Sequence, residues 1–253
     1  MSQDRIVYLG HASVLLELKG TRLLTDPLLL NRVLHLYRRS PPVATQHYTD
    51  VDAVLISHNH WDHLDLRSLR KLDRETRIIV PHGVAAMFRR RGYPNSEELR
   101  EDEKAQVGPV RVQSTHAKHI GGRPLVSVAT ASAGYLIEGQ QRILFFGDTD
   151  YFPEMADIAE NLDVALVPVA GWGPTLGDGH MDPQQAAEAV ALLKPRLAIP
   201  IHWGTFFPFG VRRLGRAAGD DPAHLFSQLV AEVAPEIAVR VLNPGEAVDL
   251  EPA

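Results

Sequence analysis

Val51-Asp52-Ala53-Val54-Leu55-Ile56-Ser57-His58-Asn59-His60-Trp61-Asp62-His63-Leu64-Asp65 joins an apolar run to a histidine-rich segment. A short, nearly continuous apolar run such as 51–56 reads as a buried strand. The segment that follows, with three histidines and one aspartate within six positions, is then the loop leaving the strand's C-terminal end. Open α/β sheets place their sites there. Neutral imidazole is the commonest protein metal ligand, and three imidazoles beside a carboxylate suit Zn²⁺. A solvated polar loop would not need four such donors at this spacing.

Composition narrows the choice of ligands. The chain has 253 residues, 45% hydrophobic and 23% charged, which is ordinary for a globular protein. It contains no cysteine, so any metal is held by nitrogen and oxygen. A formal net charge of -5 argues against a nucleic-acid backbone binder. No apolar run is long enough for a transmembrane helix, and the N-terminus leads straight into strand-like sequence, so a cytoplasmic protein is expected. Twelve histidines exceed the usual share and call for an explanation.

Outward from the opening stretch, residues 5–18 are β-like around Gly10-His11-Ala12-Ser13. Lys19-Gly20 is a turn signal, and residues 21–27 return as a strand ending in Asp26-Pro27. Residues 31–48 have no clear period and are expected to form a lid over the site. Residues 64–72 have helical spacing, 77–81 read as a strand and 83–91 as a short basic helix, and 97–104 as a solvated charged run. His82 follows a strand end without a partner and reads as structural.

Strands are also expected at 110–114, 127–136, 142–146, 164–169 and 196–201, with a closing strand pair over 239–250 around Asn243-Pro244-Gly245. Helices are expected at 153–161, 184–193 and 222–233. Asp182 before Pro183 is a favoured helix start. No linker or composition shift divides the chain, which reads as one domain, 1–253.

Four of these strand ends carry donors: the His58–His63 loop, His116, Asp148 and His202. Seven donors exceed what one tetrahedral zinc uses, whereas two metals sharing a carboxylate would use them all. Two metals roughly 3.5–4 Å apart lower the pKa of a bridging water and polarise the bond under attack, which is hydrolytic chemistry.

The pattern His58-x-His60-x-Asp62-His63, followed by His116, Asp148 and His202, resembles the metallo-β-lactamase superfamily. Gly10-His11-Ala12-Ser13, Ser57 to Asp65, Pro168 to Pro174 and His180-Met181-Asp182-Pro183 resemble the branch that contains N-acyl-phosphatidylethanolamine phospholipase D and L-ascorbate-6-phosphate lactonase. The resemblance implies a four-layer αββα sandwich of class α/β. It implies that His58, His60 and His116 bind one ion, that Asp62, His63 and His202 bind the other, and that Asp148 bridges them. It places Asp26 in support of the ligand loop, with His11 expected in the same supporting role. Asp62 and His180 are the implied catalytic residues, His180 through the leaving group or a substrate phosphate.

The expected activity is dinuclear, metal-dependent hydrolysis of a phosphodiester or a lactone-type ester by a metal-bridging hydroxide. All-nitrogen ligation at the first site favours Zn²⁺ over Mn²⁺ or Fe²⁺. The expected partner is a small-molecule ester or phosphodiester. A membrane lipid is less expected because no membrane-facing apolar segment is evident, and homo-oligomerisation stays open. A nuclease of the same superfamily is disfavoured by the charge, a redox diiron enzyme by His60, and a non-catalytic metal-binding protein by the complete donor set. Trp61, Trp172, Trp203 and Phe206-Phe207-Pro208-Phe209 sit beside donor loops and are candidates for a substrate wall.

Overall fold

A computed structural model describes residues 3–122, 130–170, 177–209 and 221–251. The chain opens as a meander, β1 (Arg5–Gly10), β2 (Ser13–Leu18) and β3 (Thr21–Thr25). Lys19 and Gly20 both have positive φ, 50° and 78°, as the tight hairpin between β2 and β3 requires. A small hairpin follows, β4 (Arg32–Val33) and β5 (Leu36–Arg38). Then come β6 (Ala53–Leu55), α1 (Leu66–Leu69), β7 (Arg77–Pro81), α2 (Ala85–Arg89) and β8 (Ser96–Leu99). These strands and the last one form a seven-stranded sheet without the small hairpin.

The second half supplies β9 (Lys104–Val107), β10 (Val110–Thr115), β11 (Ile120–Gly121), β12 (Thr130–Ala131), β13 (Gly134–Glu138) and β14 (Arg142–Phe145). It continues with β15 (Val164–Pro168), α3 (Pro183–Leu193), β16 (Leu197–Ile201), β17 (Phe206–Pro208), α4 (Pro222–Val233), β18 (Ala238–Val239) and β19 (Ala247–Asp249). The first sheet runs β19-β1-β2-β3-β6-β7-β8 and the second β18-β16-β15-β14-β13-β10-β9. Two small ladders, β11-β12 and β17-β5-β4, complete the strands.

Strand alternation creates the layers. Ile6 and Tyr8 of β1, Ala53 and Leu55 of β6, and Ile79 of β7 join Val112, Tyr135, Ile137 and Phe145 of the second sheet in one apolar interior. Their neighbours Val7, Leu9, Val54, Ile78 and Val80 point the other way and pack with Leu69 of α1 and Phe88 of α2. Leu144 and Ala165 face outward from the second sheet toward the side carrying Ala186 and Val190 of α3 and Phe226 of α4. Successive side chains on a strand leave opposite faces, so these apolar strands need cover on both sides. The result is the expected αββα sandwich. Tyr135 ties the sheets together beneath the His-rich loop, donating its hydroxyl to Ile56 O at 2.8 Å.

Several local expectations change. Residues 97–104 are not merely a solvated run, because Ser96–Leu99 forms the edge strand β8 beside β7. Glu97 there pairs with Arg77, so edge-strand pairing and cross-strand charge explain the composition. The closing strands do not pair with each other. β18 joins β16 and β19 joins β1, so the Asn243-Pro244-Gly245 segment passes between the two sheets. Residues 153–161 form a 3₁₀ turn, Pro153–Asp157, rather than a full helix. The 31–48 segment is anchored: β5 pairs with β17, and buried Arg38 donates from Nη1 to Leu9 O and from Nη2 to Leu28 O.

Candidate metal centre

Each donor reaches the site on a segment that the fold holds in place. β6 ends at Leu55, and the chain turns through buried Ser57, whose N–H and hydroxyl both donate to the buried carboxylate of Asp26, at 2.7 and 2.5 Å. Asp26 also accepts from His63 Nδ1 at 2.7 Å. Asp65 caps the short helix that closes the loop, accepting from the N–H groups of Arg67 and Ser68. One buried carboxylate and one cap therefore fix both ends of the His58–Asp65 loop. Asp148 follows Gly147, whose φ is +61° and on which a Cβ would lie 2.5 Å from Ser57 Cβ. Only glycine lets the β14 end come this close to the His-rich loop.

The donors converge. His58 Nε2 lies 2.9 Å from His60 Nδ1, and His119 Nε2 lies 3.2 Å from that same atom. On the other side His63 Nε2 is 3.2 Å from His202 Nε2, and Asp62 Oδ2 is 3.4 and 3.5 Å from the two. Asp148 lies between these groups. Its Oδ2 is 3.0 Å from His63 Nε2, 3.7 Å from His58 Nε2 and 3.3 Å from His180 Nε2, and its Oδ1 is 3.4 Å from His202 Nε2.

The structure does not bring His116 to this group. β10 ends at Thr115, and His116 turns outward to pair with Glu101 at 3.0 Å, with half of its side chain exposed. His119, three residues on, stands in its place. Lys118 N–H donates to Thr149 Oγ1 and Asp150 N–H donates to Lys118 O, so the 116–119 segment is stitched to the loop that bears Asp148. The sequence signal for His119 is the Gly121-Gly122 pair that follows. A Cβ on Gly121 would lie 3.1 Å from His58 Cβ, so the backbone after His119 runs against the donor loop.

His11 is buried, its Nε2 is 2.9 Å from Asp62 Oδ2, and its ring lies 3.9 Å from that of His202. His180 reaches Asp148, as above. Trp203 is not a wall facing the site: it stacks on Tyr8 and donates Nε1–H to Pro200 O within the core. Trp61 and Phe206 pack on Leu28, Val33 and Leu36, and Phe206 meets His11 edge-on at 6.0 Å. His82 is exposed beside Glu98. Trp172 lies outside the described residues.

Hydrogen bonding sets the tautomers. His202 Nδ1 lies 2.7 Å from Ala170 O and His119 Nδ1 lies 2.8 Å from Gly179 O, so each carries its proton there and leaves Nε2 with a lone pair. His58 Nδ1 faces Ser57 Oγ at 3.0 Å, and that hydroxyl already donates to Asp26, so His58 Nε2 is likewise the free donor. Burial pushes His58 well down from its ordinary pKa, and it pushes His119 and His11 down to about 4. Burial opposes ionisation of Asp148, but His202 and His63 hold its carboxyl well below the usual range. For Asp62 the same opposition is overcome by His63 and His11. Neutral imidazoles and ionised carboxylates are the forms that bind cations.

This donor set fits divalent ions. A tetrahedral zinc with Zn–N of 2.0–2.1 Å places its ligand nitrogens about 3.3 Å apart, close to the 3.2 Å separations found here. Asp148 Oδ1 is buried without a hydrogen-bond partner, which is costly unless a cation satisfies it. The αββα sandwich and its cluster of buried imidazoles and carboxylates define a metal-dependent hydrolase of the metallo-β-lactamase fold.

Comparison with known proteins places the chain more closely. The Beta-lactamase superfamily domain matches residues 21–203, and the chain belongs to that family. A UPF0173 metal-dependent hydrolase of Aeropyrum pernix is 30% identical over 98% of both chains. The N-acyl-phosphatidylethanolamine-hydrolyzing phospholipase D 1 of Caenorhabditis elegans is 29% identical over 80% of this chain and 64% of its own length. Among solved structures, Igni18, a metallo hydrolase from the archaeon Ignicoccus hospitalis, superposes with a TM-score of 0.75 at 25% identity, covering 99% of each chain.

Proposed function

We propose that the protein, acting as one domain, binds two divalent cations, Zn²⁺ by donor chemistry, and hydrolyses a phosphodiester or a lactone-type ester. His58, His60 and His119 would hold one ion and Asp62, His63 and His202 the other, with Asp148 shared. The observation that carries this reading is the convergence of two groups of imidazole nitrogens on one buried carboxylate. When bound, the ions lower the pKa of water toward neutrality and polarise the bond under attack.

The chain's own residues supply the rest. Asp26 and Ser57 keep the donor loop in register, and His11 holds Asp62 Oδ2. His180 is anchored by Nδ1–H on Asp178 O and presents Nε2 to Asp148. Burial works against its protonation and the bond to Asp148 raises its pKa, and from this position Nε2 can serve a leaving oxygen as an acid. Likeness to the C. elegans phospholipase D supports a phosphodiester as the first substrate class to test.

The test joins elemental analysis to turnover of bis(p-nitrophenyl) phosphate and a panel of lactones. Two ions per chain, with activity lost in Asp148→Ala, is the expected result. A single ion or none, with no turnover after reloading with Zn²⁺ or Mn²⁺, would overturn it in favour of a binding protein.

A further inference from the structure

Charge is unevenly distributed over the outer layer that covers β6 and β7. Residues 67–91 carry eight arginines or lysines against Asp73 and Glu75, in a chain whose formal net charge is -5. The fold exposes seven of the eight, Arg77 being half-buried and paired with Glu97. Leu69, Leu72, Ala85 and Phe88 turn inward to the core, while Arg67, Arg70, Lys71, Arg74, Arg89, Arg90 and Arg91 are exposed. The two halves of the patch are joined, because the Arg74 guanidinium lies 4.7 Å over the Tyr93 ring and donates to Arg91 O at 3.2 Å.

Ion pairing varies among the cations of the molecule. Arg5, Arg22, Arg111 and Arg196 each reach a carboxylate. Within the patch Arg67 reaches Asp65. Among the described residues, Arg70, Lys71, Arg74, Arg89, Arg90 and Arg91 have no carboxylate within ion-pair distance. Arg89 and Arg91 donate to the backbone carbonyls of Ser96 and Met87, which leaves their charge uncompensated. Gathered like charges repel one another, and their clustering here points to an anionic partner.

The patch continues into an apolar rim. Arg67 donates from Nη2 to Arg32 O at 2.8 Å, and the Arg32 guanidinium lies 5.2 Å over the Tyr37 ring. Tyr37 in turn meets Phe209 with ring centroids 5.4 Å apart. Phe209 is 82% exposed and Leu34, at the tip of the β4–β5 hairpin, is 46% exposed.

We infer that this face docks on the surface of an anionic phospholipid bilayer, with the arginines and lysine against the headgroups and Leu34 and Phe209 entering the interface. Cations beside exposed apolar side chains are the signature of interfacial binding. A duplex phosphate backbone would match the cations but offers nothing to an exposed leucine and phenylalanine. Docking of this kind is peripheral: among the described residues no helix is long and apolar enough to cross a membrane. It is also independent of the hydrolase reading, because the test measures binding alone.

The experiment is co-sedimentation of the full chain with vesicles of phosphatidylcholine, alone or mixed with phosphatidylserine, at low and high salt. The protein sediments with the mixed vesicles and is largely released by salt. Each cation near such a surface multiplies binding about fivefold, so the triple variant Arg70→Gln, Lys71→Gln, Arg74→Gln binds about 100-fold more weakly. Its unchanged melting temperature shows that the fold is intact. Phe209→Ser with Leu34→Ser removes the part of the binding that survives salt. Equal sedimentation with both vesicle types, or full binding by the triple variant, would overturn the proposal. So would displacement by a short DNA duplex at equal phosphate concentration, which would assign the face to nucleic acid instead.

Discussion

Replacing His119 by alanine, beside a parallel His116→Ala variant, separates the tertiary arrangement from the sequence pattern. In the fold His119 Nε2 is one of three imidazole nitrogens that meet at His60 Nδ1. Without it, a cation there would keep two imidazoles and a shared carboxylate. Partners that merely orient a ligand are worth 10–100-fold in metal affinity, so losing a direct donor costs more than about 100-fold. At about 1.4 kcal/mol per tenfold, that is at least about 2.8 kcal/mol. His116 makes an exposed pair with Glu101, the two side chains 50% and 60% accessible. Such a pair contributes at most about 1 kcal/mol to stability, and its removal leaves metal binding untouched. The assay is elemental analysis after dialysis against a graded series of chelator concentrations, with circular dichroism to confirm folding. His119→Ala loses one ion at lower chelator concentration than the parent protein, and His116→Ala follows the parent. The opposite outcome, ions lost by His116→Ala and kept by His119→Ala, would refute the reasoning and restore the sequence-based assignment.

His11→Ala removes the group that holds Asp62 Oδ2 and packs on His202. The ion held by Asp62, His63 and His202 then weakens about 10–100-fold while the other stays, and His11→Asn recovers part of the loss in the same chelator titration. Stripping both ions lowers the melting temperature in scanning calorimetry, because a ligand at 100 times its Kd stabilises the folded chain by about 2.7 kcal/mol per site. An unchanged transition after complete removal would deny that the ions bind this fold. Gly147→Ala introduces a Cβ 2.5 Å from Ser57 Cβ at a left-handed φ of +61°. It costs about 1–3 kcal/mol in denaturant unfolding and moves Asp148 enough to reduce bound metal. Tyr135→Phe deletes the hydroxyl donated across the sheets to Ile56 O and costs about 1–3 kcal/mol, read by the same unfolding curves, with metal stoichiometry preserved.

Much of the fold was legible along the chain because strand burial has a local signature. The apolar runs before Ser57, Gly147 and His202 are buried on both faces, so no polar residue needs to interrupt them, and each delivers its donor at a strand end. The helix over 222–233 and the Asp182-Pro183 start of α3 were equally local, being set by capping chemistry. The donors from the His58–His63 loop were visible because one loop carries them all. Asp26 was legible only as a turn residue or as a resemblance, since its partners Ser57 and His63 lie far along the sequence.

His116 and His119 mark the boundary between the two kinds of information. Both stand just past β10, both are histidines, and no local preference separates them. What separates them is the packing of a neighbouring loop, with Lys118 stitched to Thr149 and Asp150, and Gly121 pressed against His58. The closing strands show the same thing, each joining a different sheet although their sequences resemble a hairpin. Sequence alone determined which segments are buried strands and that their ends bear imidazole and carboxylate, because hydrophobic period and residue chemistry are properties of neighbours along the chain. The tertiary structure decided which imidazoles meet and which strands pair, because those outcomes depend on contacts between residues far apart in sequence.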